Sequence, residues 1–481
     1  MRASRQSTMA GVYFLYSVTL GLLLTLSLPW WLVQMLRLGK YRAGLRERLG
    51  MVPARVRLAA DEATGIDTSQ SGTRQTQPLR SQALRQVPPL RPQALRQIPP
   101  LRPQALPVAW IHAVSVGEVL AIAPLVGQLR EQGYRVVVST TTHTGQRLAR
   151  DKFGAANVFY FPLDFAVCIR PYLRALRPVL VILAETEFWP NFLRLARASG
   201  ARLAVVNARI SDRSYPRYLR FRGLLSKVLE PVELFLAQSE GDAERLRAVG
   251  AAAERVEVLG NLKFDAAPPV ESATVTQLGE QLRASGEPIV VAGSTVEDEE
   301  EYVLQAFRMV LGEYPGASLV LAPRHKERFD EVARMLTEKR FRFVRRSATD
   351  AKEQDLRGAV LLLDTLGELA AIYRYCNIAF VGGSLVPSGG HNILEPAFFA
   401  RAILTGPYTE NFRDILACFE SQRAVVRCTT KNLGITLLLL LREGSEREAL
   451  GRRAQQVLAA ERGATARSVA RIIELMERGR A

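Results

Sequence analysis

The pattern of hydrophobic and polar positions divides the chain near Pro107 into two parts that predict different structures. Before this point, a long apolar run extends from Gln6 to Leu36 and contains no charged residue. After it, apolar runs of strand length alternate with segments of helical periodicity that end at glycine. This alternation is typical of parallel β-sheets that are covered by helices on both faces. The part after Pro107 is therefore predicted to be an α/β protein.

The predicted strands form two consecutive series, which indicates two doubly wound, Rossmann-like domains. The first series comprises "VAWIHAV", "RVVVSTTT", "NVFYFPL", "PVLVILAE", "RLAVVNA", "LFLAQS" and "RVEVLG". The second comprises "PIVVAGST", "ASLVLAPRH", "RFVRRS", "AVLLLDT", "IAFVGGS", "RAILTGP" and "AVVRCT". We assign the domains to residues 108–270 and 285–481. Because such sheets bind ligands beyond the carboxyl ends of their strands, we expect the chemistry in a cleft between the domains.

The apolar N-terminal run predicts a membrane anchor within residues 1–40. It is long enough to cross roughly 30 Å of hydrocarbon as a helix, with Trp30 and Trp31 at one interface. A cleaved signal peptide is the alternative, but the run is longer than the apolar core of such peptides and ends without a small-residue cleavage site. Basic residues after the run outnumber Arg2 and Arg5 before it, so the large C-terminal part is expected at the cytoplasmic face of the inner membrane. The anchor either crosses the bilayer or lies in its interface.

The net charge of +17 comes mainly from the segment that follows this anchor. Residues 37–107 contain 13 Lys and Arg against 4 Asp and Glu. A basic excess beside an anchor favours anionic lipid as the partner and argues against nucleic acid. Residues 78–107 repeat an 11-residue unit of the type "PLRPQALRQIP", whose prolines exclude a continuous helix. We therefore interpret residues 41–107 as a basic juxtamembrane segment and Pro-rich linker.

Charged residues at strand ends are the candidates for chemistry in the first domain. Glu118 follows the first strand at the start of a predicted helix, where a carboxylate either caps the helix or accepts a proton from a hydroxyl. The helix N-terminus should hold the pKa of Glu118 down. Glu185 and Glu187 follow the fourth strand, and their spacing predicts opposite faces, so at most one should point toward a ligand. Lys263 in "GNLKFD" either pairs with Asp265 or directs its charge toward a ligand.

A glycine-rich loop is the most informative feature of the second domain. The segment "GGSLVPSGGHNILEP" precedes a predicted helix start, whose free backbone N–H groups would bind an anion such as phosphate. Glu395 could accept two ribose hydroxyls there. The alternative is a capping arrangement, with Asn392 as the N-cap and Glu395 at the third helical position. Arg324 in "PRHKERF" could pair with a phosphate, or it lies in a solvated basic loop.

Other classes of site lack their sequence signals. Neither the P-loop pattern nor the G-x-G-x-x-G spacing of dinucleotide-binding folds occurs. The four histidines are not spaced for zinc, and we expect no metal site. The four cysteines are scattered, which predicts free and mostly buried thiols in a reducing compartment.

Seven segments in a fixed order connect the chain with a known enzyme family. They are "HAVSVGE", "ETEFWPN", "NARISDRS", "GNLKFD", "PRHKERF", "DTLGEL" and "GGSLVPSGGHNILEP", within about residues 108–415. In these segments the sequence resembles a 3-deoxy-D-manno-octulosonic acid (Kdo) transferase of lipopolysaccharide biosynthesis. The resemblance implies a glycosyltransferase B-type fold. It also implies transfer of Kdo from CMP-Kdo to a tetraacylated lipid A precursor at the inner membrane.

The resemblance also implies roles for individual residues. Glu118 would be the general base of an inverting reaction, and Glu185 and Lys263 would stabilise the transition state. The CMP site would be formed by Pro323, Arg324, Leu366, Gly367, Glu368, Asn392, Ile393, Leu394 and Glu395. No cofactor is implied, since CMP-Kdo is the donor substrate. Two alternatives stay open, a transferase that uses another nucleotide sugar and a non-catalytic, membrane-tethered binding protein with an inactive transferase fold.

Overall fold

The described part of the chain forms two compact units. The computed structural model describes residues 2–37, 42–57, 106–269, 271–286, 288–348 and 355–478. Most of the predicted linker, including the repeat up to residue 105, lies outside the described residues. The units are Met1–Lys263 with Thr465–Ala481, and Phe264–Ala464.

The first unit is built on a seven-stranded parallel sheet. Its strands are β1 (Val108–His112), β2 (Arg135–Thr140), β3 (Val158–Tyr160), β4 (Leu180–Ala184), β5 (Arg202–Ala208), β6 (Leu234–Ala237) and β7 (Val256–Val258). Their order across the sheet is β3-β2-β1-β4-β5-β6-β7. Every residue of β1, β2 and β4 is buried, as expected for parallel strands covered on both faces. The strand order reverses between β1 and β4, so their carboxyl ends are the expected ligand position.

The helices of the first unit surround this sheet. They are α1 (Arg2–Arg37), α2 (Leu45–Arg48), α3 (54–57), α4 (Val116–Glu131), α5 (His143–Phe153), α6 (Ala166–Leu176), α7 (Pro190–Ala198), α8 (Tyr215–Arg220), α9 (Arg222–Leu229), α10 (Glu240–Val249) and the last helix, α19 (Ala464–Glu477). Local sequence sets their ends. In α10, for example, the Ser239 hydroxyl accepts from the Asp242 backbone N–H, and the helix stops at Gly250 in a left-handed conformation.

The second unit repeats the same architecture. Its strands are β8 (Ile289–Thr295), β9 (Ser318–Pro323), β10 (Phe343–Arg345), β11 (Val360–Leu362), β12 (Ile378–Val381), β13 (Ala402–Thr405) and β14 (Val426–Arg427). They lie in the order β10-β11-β9-β8-β12-β13-β14, which reverses between β8 and β12. The helices are α11 (Ala273–Ala284), α12 (Glu299–Glu313), α13 (Phe329–Glu338), α14 (Leu369–Ile372), α15 (Leu394–Ala397), α16 (Arg413–Ser421), α17 (Leu433–Arg442) and α18 (Gly444–Ala460).

Every predicted strand segment contains an observed strand, which confirms two doubly wound parallel sheets. The last helix groups differently from the predicted boundary at 285–481. Arg471 of α19 donates to both carboxylate oxygens of Glu257, at 2.7 and 2.5 Å, and Arg202 donates to the Leu475 carbonyl at 2.8 Å. These contacts attach α19 to the first unit.

The N-terminal helix α1 contains a segment, Tyr13–Val33, that is long and apolar enough to cross a membrane. The helix continues through Pro29. Near its first half, the Asn191 side chain donates to the Ser17 hydroxyl at 3.0 Å, and the Arg194 guanidinium lies 4.8 Å from the centre of the Tyr13 ring. The helix is therefore attached to α7 as well as compatible with a membrane anchor.

Residues 42–57 fall within the predicted linker but pack on the first unit. The Glu47 carboxylate accepts from the Tyr160 backbone N–H at 2.7 Å and from Arg55 at 2.7 Å. The Tyr172 hydroxyl donates to the Glu47 carbonyl at 2.9 Å. The beginning of this segment therefore covers the β3 edge of the sheet.

We predict that Trp110→Ala lowers the free energy of unfolding of the first unit by about 3–5 kcal/mol, because it removes a large buried side chain. Trp110 is fully buried, its ring centre lies 4.8 Å from that of Phe192, and its Nε1 donates to the Ser139 hydroxyl at 2.8 Å. Denaturant unfolding in detergent would measure the change. Leu366→Ala is the control, since Leu366 is 65% exposed, and equal effects of both substitutions would contradict the prediction.

Candidate active site

Three glutamates lie where the strand order of the first sheet reverses. Glu118 is in the first turn of α4, directly after β1. Glu185 and Glu187 follow β4. The negative charges of Glu185 and Glu187 both act to raise the pKa of Glu118. The topology therefore gathers the three carboxylates at the position that is expected to bind ligand.

The Glu118 carboxylate makes capping contacts. One oxygen accepts from the Val114 backbone N–H at 2.7 Å, and the other accepts from the Ser115 hydroxyl at 2.9 Å. The expected effect on its pKa is nevertheless wrong. Burial, followed by the charge of Glu185, raises the pKa of Glu118 to about 7, so these outweigh the hydrogen bonds that lower it. A carboxylate that titrates near neutral pH is suited to accept a proton during a reaction.

Glu185 contradicts the prediction that it and Glu187 lie on opposite faces. β4 ends at Ala184, and Glu185 takes a left-handed conformation with φ of 57°, so strand alternation no longer applies. This conformation is costly for a residue with a side chain and tends to occur at functional sites. The Glu185 carboxylate lies 3.2 Å from the Lys263 ammonium, and each side chain is 19% exposed.

The structure thus gives Lys263 a partner other than the two that we considered. Its loop is held by three buried amide side chains, of which only Asn207 lies in a segment that we singled out for the first domain's site. Asn207 accepts from the Leu262 N–H at 2.9 Å, and Asn261 accepts from the Lys263 N–H at 3.0 Å. Gln238 joins them, donating to the Asn207 carbonyl at 2.9 Å and accepting from Asn261 at 2.8 Å. Asp265 instead accepts from the Gly463 N–H at 2.6 Å.

In the second unit, a buried carboxylate that we gave no role organises the glycine-rich loop. Glu299 is fully buried at the start of α12. It accepts from four backbone N–H groups, those of Val296 (3.1 Å), Gly383 (2.6 Å), Ser384 (2.7 Å) and Leu385 (2.7 Å). The first part of the loop therefore already has an internal anion, and its N–H groups are not free to bind phosphate.

The end of the same loop lies near Arg324. His391 is largely buried, and burial, followed by the charge of Arg324, lowers its pKa to about 4. Burial raises the pKa of Glu395, and the nearby Arg324 lowers it. Asn392 accepts from the Leu394 N–H at 3.1 Å and donates to Glu395 at 3.2 Å. Asn392 therefore makes a local turn, while Glu395 contacts its side chain and not its backbone, so the predicted capping box does not form.

The remaining predicted CMP-site residues lie at neighbouring strand ends. Pro323 closes β9, and Leu366 and Gly367 form the turn after β11, with Leu366 65% exposed. Glu368 precedes α14 and pairs with both ends of the Arg346 guanidinium, at 2.9 and 3.1 Å. Glu368 is thus engaged with Arg346, a residue that the motifs did not indicate.

Within the described residues, no group of three or more His, Cys, Asp and Glu side chains could hold a metal ion. All four cysteines are free, and Cys168, Cys376 and Cys428 are buried, which confirms the prediction of free, mostly buried thiols.

Sequence comparisons identify relatives over most of the chain. A family model described as 3-deoxy-D-manno-octulosonic-acid transferase (kdotransferase) matches residues 79–266. A 3-deoxy-D-manno-octulosonic acid transferase of Haemophilus influenzae is 36% identical over 375 residues, which cover 77% of this chain and 87% of that protein. Its counterpart in Bordetella pertussis is 35% identical, covering 75% of this chain and 85% of that protein.

The chain belongs to the 3-deoxy-D-manno-octulosonic acid (Kdo) transferase family. It is a glycosyltransferase of lipopolysaccharide biosynthesis, as the resemblance implied. A solved UDP-GlcNAc 2-epimerase of Neisseria meningitidis, 12% identical, matches with a TM-score of 0.52 over 77% of this chain and all of that one. With the two parallel sheets, this likeness confirms the glycosyltransferase B-type fold of the Kdo transferase.

We predict that Glu299→Ala lowers the free energy of unfolding of this Kdo transferase by at least about 3 kcal/mol, because it leaves buried N–H groups without an acceptor. Glu301→Ala on the same helix is the matched control, since Glu301 pairs with Lys339 at the surface. Denaturant unfolding of both variants would test this, and equal midpoints would contradict the role given to Glu299.

Proposed function

We propose that the transferase moves Kdo from CMP-Kdo to a tetraacylated lipid A precursor at the cytoplasmic face of the inner membrane. The observation that carries the mechanism is the buried Glu118, whose pKa lies near neutral at the reversal point of the first sheet. The relatives' names supply the Kdo group, and the N-terminal apolar helix supports a membrane-bound acceptor.

In the proposed reaction, Glu118 takes the proton of an acceptor sugar hydroxyl as that oxygen attacks the anomeric carbon of Kdo. The bond from this carbon to the phosphate oxygen breaks, and CMP leaves with the bonding electron pair. Attack opposite to the leaving group inverts the configuration at the carbon. The reaction requires no metal, because CMP is already a phosphate leaving group whose charge hydrogen-bond donors and cations can stabilise.

Glu185 and Lys263 act as a pair in this proposal. Their 3.2 Å contact fixes an ammonium group beside the carboxylates, where it can stabilise charge that develops during transfer. The strained backbone at Glu185 and the three amide side chains below Lys263 keep the pair in place.

CMP is assigned to the second unit. Arg324 has an exposed guanidinium close to Glu395 and His391, so it can pair with the phosphate while Glu395 accepts ribose hydroxyls. Pro323, Leu366, Gly367, Glu368, Asn392, Ile393 and Leu394 complete the assigned site. The final turn of the glycine-rich loop faces this group, because its first turn is occupied by Glu299.

A basic and apolar surface on α8 and α9 supports a lipid acceptor. Three apolar side chains on this surface are strongly exposed, Leu219 (43%), Phe221 (56%) and Leu224 (46%). They alternate with the exposed cations Arg213, Arg217, Arg220, Arg222 and Lys227, and residues 213–229 contain no acid. Such a combination is typical of surfaces that enter the headgroup region of an anionic membrane.

We predict that Glu118→Gln lowers kcat by about 10²-fold or more, because a general base typically contributes this much. In the wild type, kcat/KM should fall as the pH drops below about 7, where Glu118 becomes protonated. The assay would follow the mass of the lipid product with CMP-Kdo generated in situ.

Stability provides the control for this variant. Because the folded pKa of Glu118 is raised, its ionised form costs free energy above pH 7, and Glu118→Gln should unfold at an equal or higher temperature at pH 8. Glu131→Gln, at the exposed end of the same helix, should keep full activity. An active Glu118→Gln would leave Glu118 as a cap only, and CMP binding without any lipid product in the wild type would favour the non-catalytic binding protein.

We predict that the double variant Arg217→Glu/Arg220→Glu loses activity toward acceptor in anionic vesicles more than tenfold, because like charges now face the membrane. Activity toward acceptor in neutral detergent micelles should stay close to wild type. Arg334→Glu/Lys431→Glu is the matched control, since it makes the same charge change at exposed positions of the second unit. Equal losses in vesicles and micelles would contradict a membrane role for this surface.

A further inference from the structure

A buried histidine beside the candidate site has an unsatisfied ring nitrogen. His112 ends β1 and is fully buried. Its Nδ1 lies 3.1 Å from the Ser139 carbonyl oxygen and 3.0 Å from the Ser139 hydroxyl. Its Nε2 has no hydrogen-bond partner among the residues that the structure describes. An orphaned polar atom of this kind requires an explanation, because it costs folding free energy.

The contact with Ser139 defines which nitrogen carries the hydrogen. A carbonyl oxygen can only accept, so Nδ1 is the donor and Nε2 presents a lone pair. Burial lowers the pKa of His112 to about 3, which keeps the ring neutral. His112 therefore needs a donor at Nε2.

The group that faces Nε2 is the carboxyl group of Glu187. Its Oε2 lies 4.0 Å from His112 Nε2 and accepts from Trp189 Nε1 at 2.9 Å. If Glu187 were ionised, two lone-pair acceptors would face each other in a buried place. A carboxylic acid removes this conflict, because its hydroxyl can accept from Trp189 and donate to His112 after a carboxyl shift of about 1 Å.

The surrounding charges favour the same protonation state. Glu118 and Glu185 are the carboxylates next to Glu187, and the Tyr218 phenol lies on its other side. Lys263 is already paired with Glu185. A further negative charge at Glu187 would be buried beside two others, and burial indeed raises the pKa of Glu187.

We propose that Glu187 is a positioning residue that stays a neutral carboxylic acid, directs its hydrogen to His112, and leaves Glu118 as the group of the cluster that exchanges protons with substrate. This rests on the proposed role of Glu118. A neutral Glu187 holds the loop after β4 without repelling Kdo, which is itself an acid. It also prevents one more like charge from acting on the base.

The pH dependence of kcat/KM separates this proposal from a purely structural role. Gln is similar in shape to a neutral carboxylic acid, so Glu187→Gln should leave the acid limb of the profile unchanged within about 0.3 pH unit. If Glu187 were ionised, removing its charge would move this limb down by about one unit or more, which would overturn the proposal. Glu187→Ala, which cannot donate to His112, should lose at least tenfold in kcat.

A spectroscopic measurement decides the point independently of activity. At pH 8, the infrared spectrum of the wild-type protein should contain the carbonyl stretch of a protonated carboxylic acid that disappears in Glu187→Gln and persists in the control Glu185→Gln. Absence of any such difference would overturn the proposal even if Glu118 is the base. If the band is present but Glu118→Gln remains active, the role assigned to Glu118 fails while the protonation of Glu187 stands.

Discussion

Burying carboxylates at the carboxyl ends of parallel strands is the constraint on which both halves of this molecule depend. An ionised carboxylate is costly to remove from water unless hydrogen bonds or a cation compensate. The second unit meets this cost completely at Glu299, where four backbone N–H groups surround one carboxylate. The first unit meets it only in part, since Lys263 serves one of three glutamates. The incompletely compensated cluster is where proton chemistry becomes possible, and the fully compensated one gives a rigid loop.

This difference also resolves the two interpretations of Glu118. The carboxylate accepts the hydrogen bonds of a cap, yet it stays close enough to other carboxylates to titrate near neutral pH. Capping orients the side chain, and crowding sets its affinity for a proton. The same residue can therefore serve both roles, since orientation and basicity come from different neighbours.

The sequence predicted the fold well because the strands are short, apolar and separated by polar turns, as in β1 and β4. It also pointed to Glu118, Glu185 and Lys263, which the structure places together or pairs. It could not predict the left-handed backbone of Glu185, because alternation rules assume that a strand continues. The pKa of Glu118 was wrong in direction, since burial and like charges arise from distant segments. Glu299 lay in an acidic run, "EDEEE", whose spacing gave no sign that one of its members is buried.

The attachment of α19 to the first unit has a consequence for how the chain reaches its native state. The second unit is an insertion, entering after Lys263 and leaving before Thr465, and its ends are joined where Asp265 accepts from the Gly463 N–H. During synthesis the inserted unit has all of its residues before the unit that hosts it. The first unit, although its sheet is made first, obtains its last helix only when the ribosome has finished, so the N-terminal half of this enzyme is completed last.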